Sequence, residues 1–191
     1  MGSIGRSTYK QPTMLIRARE IPGNGLLSKY CYAPYPNGGR AYTDCFEIAV
    51  DGQRSLAEFV TGFYCSWLFK LERLVIRLLA GKPSTDNDVL QLAAGSVQTF
   101  AVWTLEERTP TQLLLCDDHG RTRSWLMVEP GSRNGQAHTM LRFGSAVTPE
   151  TDAATNKTQL SMGFRLLLPV HRVYSRLLLG AGRSRLLRSA H

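Results

Sequence analysis

The sequence predicts an α+β fold in which an antiparallel β-sheet grips a long C-terminal helix, with another long helical segment after the first strand. Three observations carry the prediction. Residues 56–79 hold an apolar face at helical spacing, residues 99–147 break into four short strand-like runs separated by turns, and beyond residue 159 arginines and apolar side chains separate onto opposite sides of a helical wheel. A meander with one apolar face must be covered, and the C-terminal helix has the length and the stripe to cover it.

From 2 to 40 the chain is interrupted by Pro12, Pro22, Pro34 and Pro36 and by Gly23, Gly25, Gly38 and Gly39, so extended chain with turns is expected, with one short strand at 13–19. Residues 41–50 alternate partly through Tyr42, Phe46 and Ile48 and stop at Asp51-Gly52, the pattern of a strand and its turn. Ser55, with Glu58 three residues later, forms a capping box in which each side chain satisfies a backbone donor that a helix start leaves free. Behind it Leu56, Val60, Phe63, Trp67, Leu71, Leu74 and Leu78 recur on one face until Gly81 and Pro83 stop the pattern. This run is one long helix or two nearly collinear ones, with Gly62 and Cys65-Ser66 as the candidate breaks. A short helical turn is expected at 89–94. The meander runs are 99–108, 112–116, 123–128 and 139–147; Asp117-Asp118-His119-Gly120 closes the middle pair, and 131–136 is a looser connection. Trp103 and Leu105 share one strand face, as do Trp125 and Met127.

The last segment alternates like a strand through Leu160, Met162, Phe164, Leu166 and Leu168, and the helical angles decide against that. At about 100° per residue, Arg165, Arg172, Arg176 and Arg183 fall within an arc of about 40°, while Leu160, Phe164, Leu167, His171, Tyr174 and Leu178 cluster opposite. A helix from about 159 to 179 is expected, closed by Gly180 and Gly182 and kinked or split at Pro169.

A chain of 191 residues, 43% hydrophobic and 20% charged, is long enough to bury a core without metals or disulfides. In the apolar stretch that follows Glu58, the longest uncharged run is 59–69, eleven residues and short of the roughly 20 of a membrane span. The first eleven residues are polar with no apolar leader core, so a cytoplasmic protein is expected. The expected organisation is an extended segment at 1–40, a single domain at 41–182 and a basic tail at 183–191.

The net charge of +8 is uneven: beyond Asp152 no acidic residue occurs, and Lys157 with six arginines supplies seven positive charges. Such a patch attracts nucleic-acid phosphate or anionic lipid, although a solvated helix face is the plainer reading. Cys31, Cys45, Cys65 and Cys116 are spaced 14, 20 and 51 apart, with no C-x-x-C pair and no histidine at zinc-finger distance, so free thiols and no metal are expected. Asp117, Asp118 and His119 have metal-ligand chemistry but occupy a tight turn, where these residue types serve conformation.

Short motifs carry a resemblance. Tyr42-Thr43-Asp44-Cys45-Phe46 resembles the opening Asp-x-Phe strand of an uncharacterised bacterial domain family, some of whose members follow a short-chain-dehydrogenase-like Rossmann domain. Gln112-Leu113-Leu114-Leu115 is similar to its central hairpin, and Leu168-Pro169-Val170-His171-Arg172 to its Pro-Phe-His-Arg element, with Val170 in place of Phe and Cys65-Ser66-Trp67 in place of Pro-x-Trp. The element order also resembles the START-related, birch-pollen-allergen-like helix-grip superfamily, which implies a curved sheet around a cavity. The resemblance implies no established activity and no cofactor, and this chain has no phosphate-binding glycine loop.

His171 is the leading candidate site residue, since it points from the apolar face of the last helix and can serve as acid, base or polar anchor, or simply as a satisfied core histidine. Asp44 is its candidate partner, pairs with Arg142, or sits exposed at a strand start. Trp67, Trp103 and Trp125 are candidate walls of a ligand cavity or plain core. The expected function is therefore a binding module enclosing a small apolar ligand among Trp67, Trp103, Trp125, Arg142 and His171. The alternatives are a cyclase- or hydratase-like enzyme using His171 and Asp44, and a weak polyanion or membrane contact through the arginine stripe.

Overall fold

The structure, a computed structural model, describes residues 15–152 and 155–189. Strands β1 (Arg17–Ala18), β2 (Tyr42–Asp51), β3 (Thr99–Phe100), β4 (Trp103–Arg108), β5 (Gln112–Asp117), β6 (Thr122–Arg133) and β7 (Gln136–Val147) form one sheet in the order β1-β2-β7-β6-β5-β4-β3, antiparallel throughout. The helices are α1 (Lys29–Tyr32), α2 (Leu56–Tyr64), α3 (Trp67–Ala80), α4 (Asp86–Ala94) and α5 (Met162–Arg188), and a small ribbon of β8 (Glu150–Thr151) and β9 (Thr158–Gln159) precedes α5. The fold is thus α+β, with the long C-terminal helix packed against an antiparallel sheet, consistent with a helix-grip arrangement.

Strand alternation divides the sheet into two faces. The inner face carries Phe46, Ile48, Leu113, Leu115, Leu126, Leu141 and Phe143 and packs on α2, α4 and α5 in one large core. That space is filled: the Phe63 ring lies 4.7 Å from Phe143, Tyr64 lies 4.7 Å from Phe69, and the Tyr64 hydroxyl is satisfied by Ser124 Oγ at 2.9 Å. The expected ligand space between sheet and helix is therefore occupied by the protein's own aromatic rings.

The outer face holds a second core of Leu27, Cys45, Leu114, Trp125, Met127 and Ala146, with Ile21, Leu26 and Tyr30 packed on it. Residues 21–32 are hence a strap over the outer face rather than a bare extended segment. Its polar anchors are Gln112, which accepts from Leu26 N at 2.8 Å and donates to Asn24 O at 3.0 Å, and Glu106, which takes the Tyr30 hydroxyl at 2.5 Å. Glu106 is available because β4 shifts register between Leu105 and Glu107.

Several boundaries move from expectation for local reasons. The helical run breaks at Cys65-Ser66, where the Ser66 hydroxyl accepts from Phe69 N and starts α3. Helix α4 begins earlier than expected because Thr85 and Asp88 form a second capping box. The run 99–108 folds back at Ala101-Val102, with Ala101 at φ 52°. The connection at 131–136 is no loose loop: β6 and β7 pair out to Arg133 and Gln136, and Asn134-Gly135, at φ 52° and 77°, closes them as a two-residue hairpin turn. Of the expected strand at 13–19, Arg17–Ala18 forms β1, while residues 13 and 14 lie outside the described residues.

Helix α5 starts at Met162, capped by the Ser161 hydroxyl, and continues through Pro169, Gly180 and Gly182 to Arg188. The glycines do not end it because both sit at close contacts. A Cβ on Gly182 would lie 3.0 Å from the Phe63 backbone, and one on Gly180 3.3 Å from Ile16. Residues 183–188 are accordingly the last turns of a packed helix, with Leu186 in the core, and not a tail.

Candidate functional site

Tyr42, Asp44, Ser145 and His171 form a hydrogen-bonded cluster where the β2–β7 end of the inner face meets α5. The register makes Asp44 and Ser145 direct cross-strand partners, and Tyr42, two residues before Asp44, shares its face. Asp44 Oδ1 accepts from Ser145 N at 3.0 Å and from Ser145 Oγ at 2.6 Å, while Oδ2 accepts from the Tyr42 hydroxyl at 2.9 Å. His171 brings Nε2 to 2.9 Å from Ser145 Oγ and 3.4 Å from Asp44 Oδ2. The rings of Tyr42, Phe164 and His171 surround this cluster with centroids 5.4–5.8 Å apart.

Burial pushes the Asp44 carboxyl up, yet the hydrogen bonds from His171, Ser145 and Tyr42 outweigh it and hold the carboxyl below its ordinary range. Asp44 is therefore an anion with its lone pairs used. Burial and the neighbouring Asp44 charge push the Tyr42 hydroxyl up, so Tyr42 stays a proton donor.

The proton order follows. Ser145 Oγ spends its single proton on Asp44 Oδ1, and its lone pair then accepts from His171 Nε2–H. One imidazole nitrogen thus serves both groups, unlike the arrangement in which a histidine bridges a nucleophile and a carboxylate through its two nitrogens. Ser145 is consequently a structural link and not an activated nucleophile. His171 Nδ1 has no hydrogen-bond partner among the described residues and remains as the group able to meet a ligand.

His171 borders an open groove of about 790 Å³, lined also by Val147, Phe164, Ser161, Thr122 and the turn residues His119 and Arg121. Asp117 faces the groove but is committed to the turn, its Oδ1 accepting from Arg121 N at 2.7 Å and Thr122 N at 3.0 Å. Arg121 is paired with Glu150. Among the described residues no group of three His, Cys, Asp or Glu side chains is placed to hold a metal.

The other sequence-predicted site residues lie elsewhere. Trp103 is buried in the inner core towards the far strands, and Trp125 is buried on the outer face under the strap, with Nε1 donating to Gln112 at 3.0 Å. Trp67 is 67% exposed on α3. Arg142 points from the outer face, where it pairs with Glu47 at 3.3 Å and Glu129 at 2.5 Å, so it cannot reach Asp44 on the inner face. Only Asp44 and His171 meet. Of the residues that complete their site, Tyr42 and Phe164 carried a readable signal: Tyr42 precedes Asp44 by two, and Phe164 shares the helical face of His171. Ser145 required the strand register. No protein-family model matches the chain, and the search of curated proteins finds no match.

Proposed function

We propose that the protein is a binding module for a small, largely apolar ligand with one polar end, held in the open groove at the start of α5. The supporting observation is that the apolar side chains of Phe164 and Val147 line the groove beside His171, an imidazole held through Nε2 and without a partner at Nδ1 among the described residues, while Arg121 and Glu150 of the same lining pair with each other. Small-molecule sites commonly join apolar lining to a few oriented polar groups, and here Asp44, Ser145 and Tyr42 do the orienting. The START-related resemblance agrees in kind but would place the ligand inside the grip, where this chain has side chains instead. A binding role accounts for the cluster better than hydrolysis or acyl transfer, because Ser145 is not set up to attack.

Laurate and 2-naphthoate are suitable polar-headed probes, with naphthalene as the purely apolar control. Tryptophan emission is a poor reporter because the three indoles lie outside the groove, so the readout is thermal stabilisation, which must rise with the logarithm of free ligand above Kd. Phe164→Ala should weaken all binding compounds, and His171→Ala should weaken the polar-headed ones more. No saturable stabilisation by any probe, or stabilisation indifferent to Phe164→Ala, would overturn the reading.

A further inference from the structure

The helix layer carries apolar surface that nothing in the fold covers. On α3, Trp67, Leu71, Leu74, Val75 and Leu78 are 46–73% exposed, and their spacing sets them on one face. On α5, Met162, Leu166, Val170, Val173 and Leu177 are 54–78% exposed at steps of four and three, again one face. These are two stripes of one surface. Gly62 lies against Gly182 and Leu186, and Tyr174 donates to Glu72 at 2.5 Å, so the α2–α3 segment runs antiparallel to α5 with α3 beside the first half of α5. On each helix the stripe lies opposite the sheet-facing side and next to that Glu72–Tyr174 contact. Ten side chains at this exposure amount to on the order of 1,000 Å² of apolar surface, above the few hundred typical of a monomer's largest patch.

The flanks are basic. Arg165 and Arg172 lie along one edge of the α5 stripe and Arg77 along the far edge of the α3 stripe, beside Lys70, which Asp86 pairs at 2.6 Å, and α5 contains no acidic residue. Arg77, Arg165 and Arg172 make no ion pair among the described residues. Glu72, the acidic residue of α3, is turned inward to Tyr174. No described helix is long and apolar enough to cross a membrane. We propose that this two-helix face docks the protein in the plane of an anionic membrane surface, with the apolar stripes entering the acyl boundary and the arginines meeting lipid headgroups. The charge argues for this occupant over a second copy of the chain, which would bring Arg77, Arg165 and Arg172 against arginines, while Asp86, the carboxylate beside Lys70, is already paired with Lys70 and Arg73. It argues likewise over nucleic acid, which would leave both apolar stripes in water. A basic rim on an apolar face is the arrangement by which amphipathic helices lie in a bilayer interface.

The test uses the full chain with vesicles of phosphatidylcholine alone and with a third phosphatidylglycerol, read by cosedimentation. Trp67 is a built-in depth probe, since Trp103 and Trp125 are buried in the two cores. The expected result is binding to the anionic vesicles, with Trp67 emission shifted to the blue and quenched by acyl-brominated lipid, a signal lost in Trp67→Phe. Leu166→Glu with Val170→Glu should weaken binding by about tenfold or more, and each of Arg165→Gln and Arg172→Gln by about fivefold. All four positions are exposed, and an unchanged thermal transition would show that the variants fold. Three results would overturn the proposal: no binding to anionic vesicles, binding fully reversed by salt with no quenching of Trp67, or a dimer in sedimentation equilibrium that Leu166→Glu dissociates.

Discussion

The strap over the outer face yields a prediction with a definite size. Leu27 is 0% exposed and its side chain touches the position of the absent Cβ of Gly144, 2.9 Å away, with Trp125, Leu114, Cys45 and Ala146 completing its shell. Leu27→Ala removes three carbons from a site whose floor is the rigid sheet, so little collapse into the hole is available. The cost should lie near the middle of the buried Leu-to-Ala range, about 3 kcal/mol. For a chain of this size 1 kcal/mol corresponds to roughly 2–4 °C in Tm, so a fall of about 6–12 °C is expected. Urea denaturation should give the same loss as a lower midpoint at unchanged slope, because the strap and the sheet unfold together. Leu15→Ala, at a position 63% exposed, is the control and should change stability by less than about 0.5 kcal/mol. A loss below about 1 kcal/mol for Leu27→Ala, or a separate early transition, would refute the view that residues 21–32 belong to the cooperative core.

Three further outcomes follow from the inner face. Gly62→Ala should destabilise by about 1–3 kcal/mol, because a Cβ there would lie 3.0 Å from both Gly182 O and Leu186 Cβ; thermal unfolding checks it. Burial pushes the Glu72 carboxyl up against the opposing effects of Tyr174 and His171; a raised folded value means its stabilising contribution is complete below the ordinary Glu range and is lost as pH rises through the raised value. Glu72→Gln, which keeps an acceptor for Tyr174, should therefore gain on the wild type as pH rises through that window in parallel denaturation series. Asp44 has the opposite sign: its lowered folded value gives stability that is present above the ordinary Asp range and lost as pH falls through the lowered value. The deficit of Asp44→Asn should accordingly be full near neutrality and shrink in acid.

What the sequence discloses of this fold depends on whether a feature is local. The capping box at Ser55 and Glu58 and the angular separation of the arginines on α5 are properties of one element, and both stand in the structure. The outward stripe of α5 escapes the same wheel because Met162, Leu166 and Val170 interleave with arginines, and one apolar face was enough to account for covering a sheet. The strap escapes because Pro22, Gly23 and Gly25 read as punctuation, whereas a Cβ on Gly25 would lie 3.0 Å from the Trp125 ring, so the glycine lets the strap sit close on the outer face. Asp44 and His171 are legible singly, as a carboxylate opening a strand and an imidazole on an apolar helical face. Their meeting through Ser145 depends on the β2–β7 register, which no single segment encodes. Parity explains the tryptophans: Trp103 and Trp125 each sit on a legible strand face, yet which face turns inward is set by packing, and the two strands present them to opposite cores.

Helix α5 is the element on which both proposals converge, and its sides have separate tasks. Phe164, His171 and Ser175 turn towards the sheet, the arginines line one flank, and the apolar stripe of Leu166, Val170 and Val173 faces away. Adjacent residues therefore serve different surfaces, with Val170 on the outer stripe and His171 in the groove wall. Pro169 fits this division. It lies on the exposed side, so the carbonyl of Arg165 that loses its helical donor is open to solvent or headgroups and not trapped in the core. A proline on the buried side would have turned that freed acceptor towards the core and away from water. The helix can thus hold the His171 side rigid through Ser145 while its opposite side stays free of any fixed partner within the fold.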